Sequence, residues 1–224
     1  MQLLRNIPEV LPQPCVATIG FFDGVHRGHR YLIEQVREVA VAHGFASGVV
    51  TFPVHPRKVV QPEYHPELLT TYEEKVALLA ETGLDYCMML DFTPEVAILS
   101  AKEFMLFLYN HYNIRALVIG YDHRFGHNRS EGFDDYVRYG QELGIEVILA
   151  HAYIDKDVAV SSSVIRQLLS EGNVSEAASC LGYDYFLNGI VVSGYRVGRI
   201  CSARYRSRSE LWWYAQYWLS SYNG

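Results

Sequence analysis

Two histidines three residues apart, His26 and His29, are the first residues in the chain whose types and spacing suggest chemistry. They follow an apolar, β-branched run, Val16-Ala17-Thr18-Ile19, and a turn, Gly20-Phe21-Phe22-Asp23-Gly24-Val25. A short apolar run of this kind reads as a buried strand, and the His-Arg-Gly-His step then opens a helix. A helix N-terminus offers unpaired N–H groups and the positive end of the helix dipole, so the natural guest is a phosphate. Gly20, Gly24 and Gly28 would let the backbone pass close to that ligand, and the two imidazoles would add N–H donors of their own. Two solvent-facing or core histidines are the plain alternative, but the strand–turn–helix setting favours the functional one. Zinc fits less well, because apart from Asp23 no cysteine or carboxylate ligand stands beside the pair.

A second constellation is Ser161-Ser162-Ser163-Val164-Ile165-Arg166. Hydroxyls and free N–H groups at a helix start bind phosphate. Arg166 comes four residues after Ser162, on the same helix face, where its guanidinium can fork onto phosphate oxygens. Taken alone, this is an N-cap with a surface arginine. Facing the same cavity as His26 and His29, it makes two phosphate clamps and suggests a triphosphate. The third is Gly120-Tyr121-Asp122-His123-Arg124-Phe125-Gly126, an acid, a base and a ring in one loop. A flat ring system could stack on Phe125 or a neighbour.

The elements that must position these groups alternate. Apolar runs at residues 16–19, 48–52, 86–90, 116–120 and 145–150 read as buried strands. Helices are expected after the first histidines, with Tyr31, Leu32, Val36, Val39 and Ala40 on one face and His43 and Gly44 at the end. Thr71-Tyr72-Glu73-Glu74 and Ser100-Ala101-Lys102-Glu103 are capping boxes. The first opens a helix expected to run to Gly83. The second opens one to Tyr112, with Phe104, Phe107 and Leu108 on one face. Further helices are expected over 133–143, 163–170 and 174–181. Pro53, Pro56, Pro62 and Pro66 mark a long exposed loop without regular structure. Five strand–helix alternations predict a doubly wound α/β domain with a parallel sheet, whose ligands sit beyond the carboxyl ends of the strands. The loops at 20–29, 52–70, 120–129 and 151–163 would converge there.

In these segments the chain resembles the FMN adenylyltransferase module that forms the N-terminal part of bifunctional prokaryotic riboflavin kinase/FAD synthetases. The resemblance is carried by Gly20-Phe21-Phe22-Asp23-Gly24-Val25-His26-Arg27-Gly28-His29, by Thr51-Phe52 with His55-Pro56-Arg57, and by Leu69-Thr70-Thr71 with Glu74-Lys75. It continues through residues 100–104, Gly120 with Phe125-Gly126, and 161–166. It implies a Rossmann-like fold of the His-x-Gly-His nucleotidyltransferase type and a reaction in which FMN and ATP give FAD and pyrophosphate. It implies that His26, His29 and Arg166 are catalytic and that Gly20, Phe21, Asp23, Gly24, Gly28, Ser162 and Ser163 bind ATP. Phe52, His55, Asp122 and Phe125 would hold the flavin. Mg²⁺ would accompany ATP, with no metal site made by the protein itself.

The resemblance implies a domain over residues 1–183. Residues 184–224 then stand as the remnant of a kinase β-barrel, since the expected Gly-Phe-Pro-Thr-Ala-Asn motif is absent after Arg199, and kinase activity is expected to be lost. Half of the 224 residues are hydrophobic and the net charge is −6, which disfavours wholesale nucleic-acid binding. Cys15, Cys87, Cys180 and Cys201 follow no zinc or redox spacing and read as reduced thiols of a cytoplasmic protein. No stretch has the length of a membrane span, and residues 1–14 lack the apolar core of a signal peptide.

Overall fold

The computed structural model describes residues 1–5, 10–120, 123–127, 131–155, 158–188, 190–191 and 205–206. Its centre is β2, Cys15–Ile19, in which every residue is buried. Strand β2 pairs in parallel with β3, Ala46–Thr51, on one side and with β5, Ile114–Ile119, on the other. Beyond β3 lies β4, Tyr86–Met89, and beyond β5 lies β6, Glu146–Leu149. A sixth strand, β1, Gln2–Arg5, closes the sheet beside β4. The order is β1-β4-β3-β2-β5-β6, and every pairing is parallel. The sheet is therefore Rossmann-like, with one more strand than the apolar runs indicate.

Alternation along the strands splits the core into two layers. Cys15, Ala17 and Ile19 join Phe104, Met105, Leu108, Leu117 and Tyr136 on one face. This face is covered by α5, Ala101–Tyr112, and α6, Phe133–Leu143. Val16 joins Ile33, Val36, Val49, Leu79 and Val118 on the other face, under α1, Arg27–His43, and α3, Tyr72–Ala80. Helix α1 ends at Gly44 as expected, but its most buried apolar positions are Ile33, Val36 and Ala40, with Leu32 and Val39 at the rim. Both capping boxes form: Thr71 with Glu74 opens α3, and Ser100 with Glu103 opens α5. Helix α3 stops at Ala80, short of Gly83.

The proline-rich stretch is a correction. It contains a short helix, α2, Pro56–Val60, with Pro56 in its first turn and the His55 ring accepting from the Arg57 N–H. Proline disrupts a helix interior but suits its first turn, where no N–H is required. A one-turn helix, α4, Pro94–Ala97, follows β4. A small hairpin pairs β7, Ile154–Asp155, with β8, Val158–Ala159. It leads into α7, Ser162–Ser170, and α8, Val174–Leu181. These two helices bury Ile165, Leu169, Ala177 and Leu181 against Leu69, so the loop before α3 is part of their core. The expected barrel remnant at 184–224 falls mostly outside the described residues. Cys15 and Cys87 are buried free thiols, and Cys180 is half-buried. Among the described residues, no helix is long and apolar enough to cross a membrane.

Candidate active site

Strand order reverses between β2 and β5: the chain moves outward through β3 to β4, then returns to the opposite side of β2. Loops leaving two such strands diverge and leave a crevice beyond their carboxyl ends. A cavity of about 310 Å³ occupies that place. Ile19 and Gly20 come to it from the end of β2, Gly120 and His123 from the end of β5, His29 from α1, and Ser162 and Arg166 from α7. His55, Tyr64 and Glu67 close it from the proline-rich segment. All four expected loops thus reach one edge.

The turn between β2 and α1 is strained. Phe22, Gly24 and Val25 have φ of 56°, 76° and 37°, and two of these are not glycine. Such conformations persist only where the surroundings impose them, and they gather at functional sites. At Gly24 a Cβ would also lie 2.8 Å from Leu69 Cδ1. The turn delivers His26 to the N-cap of α1, where its Nδ1 accepts the His29 N–H at 3.3 Å. That bond places the ring proton of His26 on Nε2. The His29 ring stacks on His26 at 3.6 Å and meets the edge of Phe22 at 5.1 Å. His29 lines the cavity, while its Nδ1 is sealed from solvent and has no hydrogen-bond partner. Burial pushes the His26 imidazolium down to about 4, helped by the Arg166 charge. Burial also pushes His29 well below the usual histidine range, with His26 and Lys75 adding to it. At neutral pH both rings are uncharged donors. A Cβ on Gly28 would lie 3.3 Å from the His26 ring, so this glycine makes room for that imidazole.

Fixed positive charge comes from α7. Ser161 caps α7 by accepting the Val164 N–H, and Ser162 donates to the Asp23 carbonyl at 3.0 Å. Arg166 donates to Asp23 Oδ2 at 2.8 Å and to the Glu67 carbonyl at 3.3 Å, and its other terminal nitrogen donates to Ser163 Oγ at 3.4 Å. The buried Asp23 carboxylate also accepts the N–H groups of Leu69 and Thr70. Burial pushes the Asp23 carboxyl up, opposed by those two N–H groups and by Arg166. Asp23 is therefore an internal clamp that ties α7 and the 69–70 loop to the turn. Lys75 is a residue that the sequence reading did not assign. Its buried ammonium donates to the Phe52 carbonyl at 2.7 Å and the Phe21 carbonyl at 3.1 Å, and lies 3.9 Å from the Phe21 ring centre. No spacing rule marks such a lysine; only the packing of α3 against the ends of β2 and β3 does.

The residues expected at the flavin divide. His55 is on the cavity wall, 4.7 Å from the Phe21 ring and 5.4 Å from Tyr64. Phe52 is in the core, edge-on to Phe92. Phe125 is also buried, its ring stacked on Tyr136 at 4.2 Å and its N–H donating to the Tyr136 hydroxyl. Gly126, at φ 90°, lets this loop press against the start of α5, where a Cβ would meet Ala101 N at 2.7 Å. Among the described residues, the rings on the cavity wall are Phe21, Phe22, His29, His55, Tyr64 and His123, with Phe21, His55 and Tyr64 packed in one row. Asp122 lies outside the described residues. Among the described residues, no group of three or more His, Cys, Asp or Glu side chains stands together as a metal site would require.

A family model described as FAD synthetase matches residues 9–164, which include the turn, the two histidines, Lys75 and the Gly120 loop. The chain belongs to the FAD synthetase family. It is 34% identical over 203 residues to a bifunctional riboflavin kinase/FMN adenylyltransferase of Escherichia coli (strain K12), covering 89% of this chain and 65% of that protein. It is 31% identical over 185 residues to the protein of the same name from Listeria monocytogenes, covering 82% of this chain and 59% of that one. The chain thus spans about two thirds, or less, of the length of these relatives. A crystal structure titled as a macrolide-efflux protein from Streptococcus pneumoniae shares the fold, with a TM-score of 0.75 and 29% identity over 88% of this chain and 65% of that one.

Proposed function

We propose that the chain transfers the adenylyl group of ATP to FMN. An oxygen of the FMN phosphate attacks the α-phosphorus of ATP. The bond from that phosphorus to the α,β-bridging oxygen breaks, and pyrophosphate leaves with its electron pair. No covalent enzyme intermediate is needed, so the protein's task is to position the reactants and to meet the charge that develops. The observation that supports this most is that the neutral His29, backed by the stacked His26 at the N-terminus of α1, meets the Arg166 fork and the N-terminus of α7 at one cavity. In this reading His26 and His29 donate N–H groups to the transferred phosphoryl without adding charge. Arg166, Ser162 and Ser163 hold the leaving pyrophosphate. The phosphate displaces Asp23 and Glu67 from part of the arginine fork.

Gly20 and Phe21 form the floor on which the nucleotide lies. The isoalloxazine rests against Phe21, His55 and Tyr64, with Phe52 and Phe125 behind as core supports. The described residues offer no carboxylate cage for Mg²⁺, and Asp23 is already committed to Arg166. Mg²⁺ would be carried by the phosphate oxygens of ATP rather than by the protein, as is usual for this cation, and would offset part of their charge. A cytoplasmic setting goes with this reading, in keeping with four scattered cysteines that follow no zinc or redox spacing. The test is direct. The chain is incubated with FMN, ATP and Mg²⁺, and FAD and pyrophosphate are measured by chromatography and a coupled assay. Equal amounts of the two products are expected. Binding of both substrates without pyrophosphate release would overturn the reading.

A further inference from the structure

The carbonyls of the strained turn are each held by a donor. Phe21 O accepts from Lys75 Nζ and Thr51 Oγ1, and Phe22 O from the Val25 N–H. Asp23 O accepts from Ser162 Oγ, and Val25 O from Arg30 Nε at 3.3 Å. Gly24 O accepts from the Tyr183 hydroxyl at 2.6 Å, the shortest of these bonds. Tyr183 follows α8 and lies beyond the residues that the family model matches. Its ring is half-buried, 6.0 Å from the Arg30 guanidinium and from the Phe186 ring. Burial raises its phenol well above the usual tyrosine range, so it stays a donor. The same segment is held a second time, farther from the turn, where Asn188 Nδ2 donates to Glu74 Oε1 at 2.7 Å.

We propose that Tyr183 is a positioning residue for adenylyl transfer, acting through the Gly24 carbonyl. Gly24 is two residues from His26, and its φ of 76° sets the direction in which the chain enters α1. Glycine carries no side chain to hold that dihedral, so its peptide groups are the handles: Thr70 Oγ1 accepts from the Gly24 N–H at 3.1 Å on one side, and the Tyr183 hydroxyl holds the carbonyl on the side that leads to His26. Fixing the carbonyl fixes the His26 ring at the N-cap, and through the stack it fixes His29. This role rests on the function proposed above.

The test uses the full chain with Tyr183→Phe, which keeps the ring and removes only the hydroxyl. Asn188→Ala is the control, since it loosens the same segment without touching the turn. Turnover with FMN and ATP, thermal unfolding, and the imidazole ¹⁵N shifts of His26 and His29 are measured on all three proteins. Loss of one short neutral hydrogen bond predicts a kcat lower by about threefold to tenfold in Tyr183→Phe. KM for FMN should change less than about twofold, as for an interaction felt mainly in the transition state. The His26 shifts should move in Tyr183→Phe and stay in place in Asn188→Ala, and kcat of the control should match the parent. An unchanged kcat in Tyr183→Phe, or an equal fall in Asn188→Ala, would overturn the role. If the parent chain makes no FAD, the function proposed above fails by itself. The histidine shifts then decide the positioning role alone, and their failure to move in Tyr183→Phe sinks it.

Discussion

Lys75→Met separates the contribution of a buried ammonium to stability from its contribution to the site. Burial pushes the Lys75 ammonium from 10.5 down to about 8. At about 1.4 kcal/mol per pH unit, keeping that charge buried at pH 7 costs the folded state about 3 kcal/mol relative to the free amine. Methionine removes this cost at similar length. It also leaves the Phe52 carbonyl without its 2.7 Å donor, which costs about 1–3 kcal/mol, while Phe21 O keeps Thr51. The two effects nearly cancel, so the unfolding free energy at pH 7 should stay within about 2 kcal/mol of the parent, by urea denaturation. Activity should not be spared, because Phe21 is on the cavity wall and loses both its ring-facing cation and a carbonyl anchor. A fall in kcat/KM of about tenfold or more corresponds to one charge-assisted hydrogen bond. The pH dependence gives a second reading. The unfolded lysine holds its proton up to about 10.5 and the folded one releases it near 8, so raising the pH through this window stabilises the parent relative to the variant. Cys15 and Cys87, pushed up to about 12 and about 11, act in the opposite direction above pH 9, but they are present in both proteins and largely drop out of the difference. A variant destabilised by more than about 4 kcal/mol at pH 7, or a difference that stays flat from pH 8 to 9, would refute the reasoning.

Two more outcomes follow from the turn. His26 takes up its proton only near pH 4 when folded and near 6.5 when unfolded, so stability should fall as the pH drops from 6.5 to 4, by about 3 kcal/mol from this residue. His26→Asn keeps a capping oxygen and should flatten that slope, and identical acid profiles for the two proteins in urea titrations would contradict the assignment. Gly24→Ala places a methyl 2.8 Å from Leu69 Cδ1 at a φ of 76°. It should destabilise the fold by about 2–4 kcal/mol from overpacking plus left-handed strain, and an unchanged melting temperature would argue against the geometry of the turn.

Much of the frame was legible because its signals are local. The boxes at Thr71/Glu74 and Ser100/Glu103 close within three residues, and the apolar runs of β2 to β5 are buried on both faces, so composition alone marks them. Strand β1 was not legible. It buries only Leu4, and its partner residues begin at Tyr86, far along the chain. Helix α2 was missed because its prolines were read as breakers, whereas Pro56 sits at the one helical position that welcomes it. Of the residues singled out by type, His29, Ser162 and Arg166 line one cavity, with His26 stacked behind His29. What the sequence could not show is direction. Phe125 was a ring offered to a ligand, and Tyr136 takes its face instead.

The site also distributes charge differently from what two histidines and an arginine suggest. With both imidazoles neutral, the full positive charge on the cavity wall among the described residues is Arg166, beside Asp23, with Lys75 set behind the Phe21 ring. Were the histidines cationic, each would repel the other at a 3.6 Å stacking distance and repel Arg166 as well. Keeping them neutral lets the rings stack, lets His26 Nδ1 cap α1, and leaves Nε2–H of His26 as a donor of fixed direction. Asp23 serves the same end from the other side. By holding Arg166 and the 69–70 N–H groups with one buried carboxylate, it brings α7 to the turn without requiring a ligand to do so. In the proposed function, a phosphate chain would therefore meet a geometry already formed, and its binding would exchange partners at Arg166 rather than assemble the site.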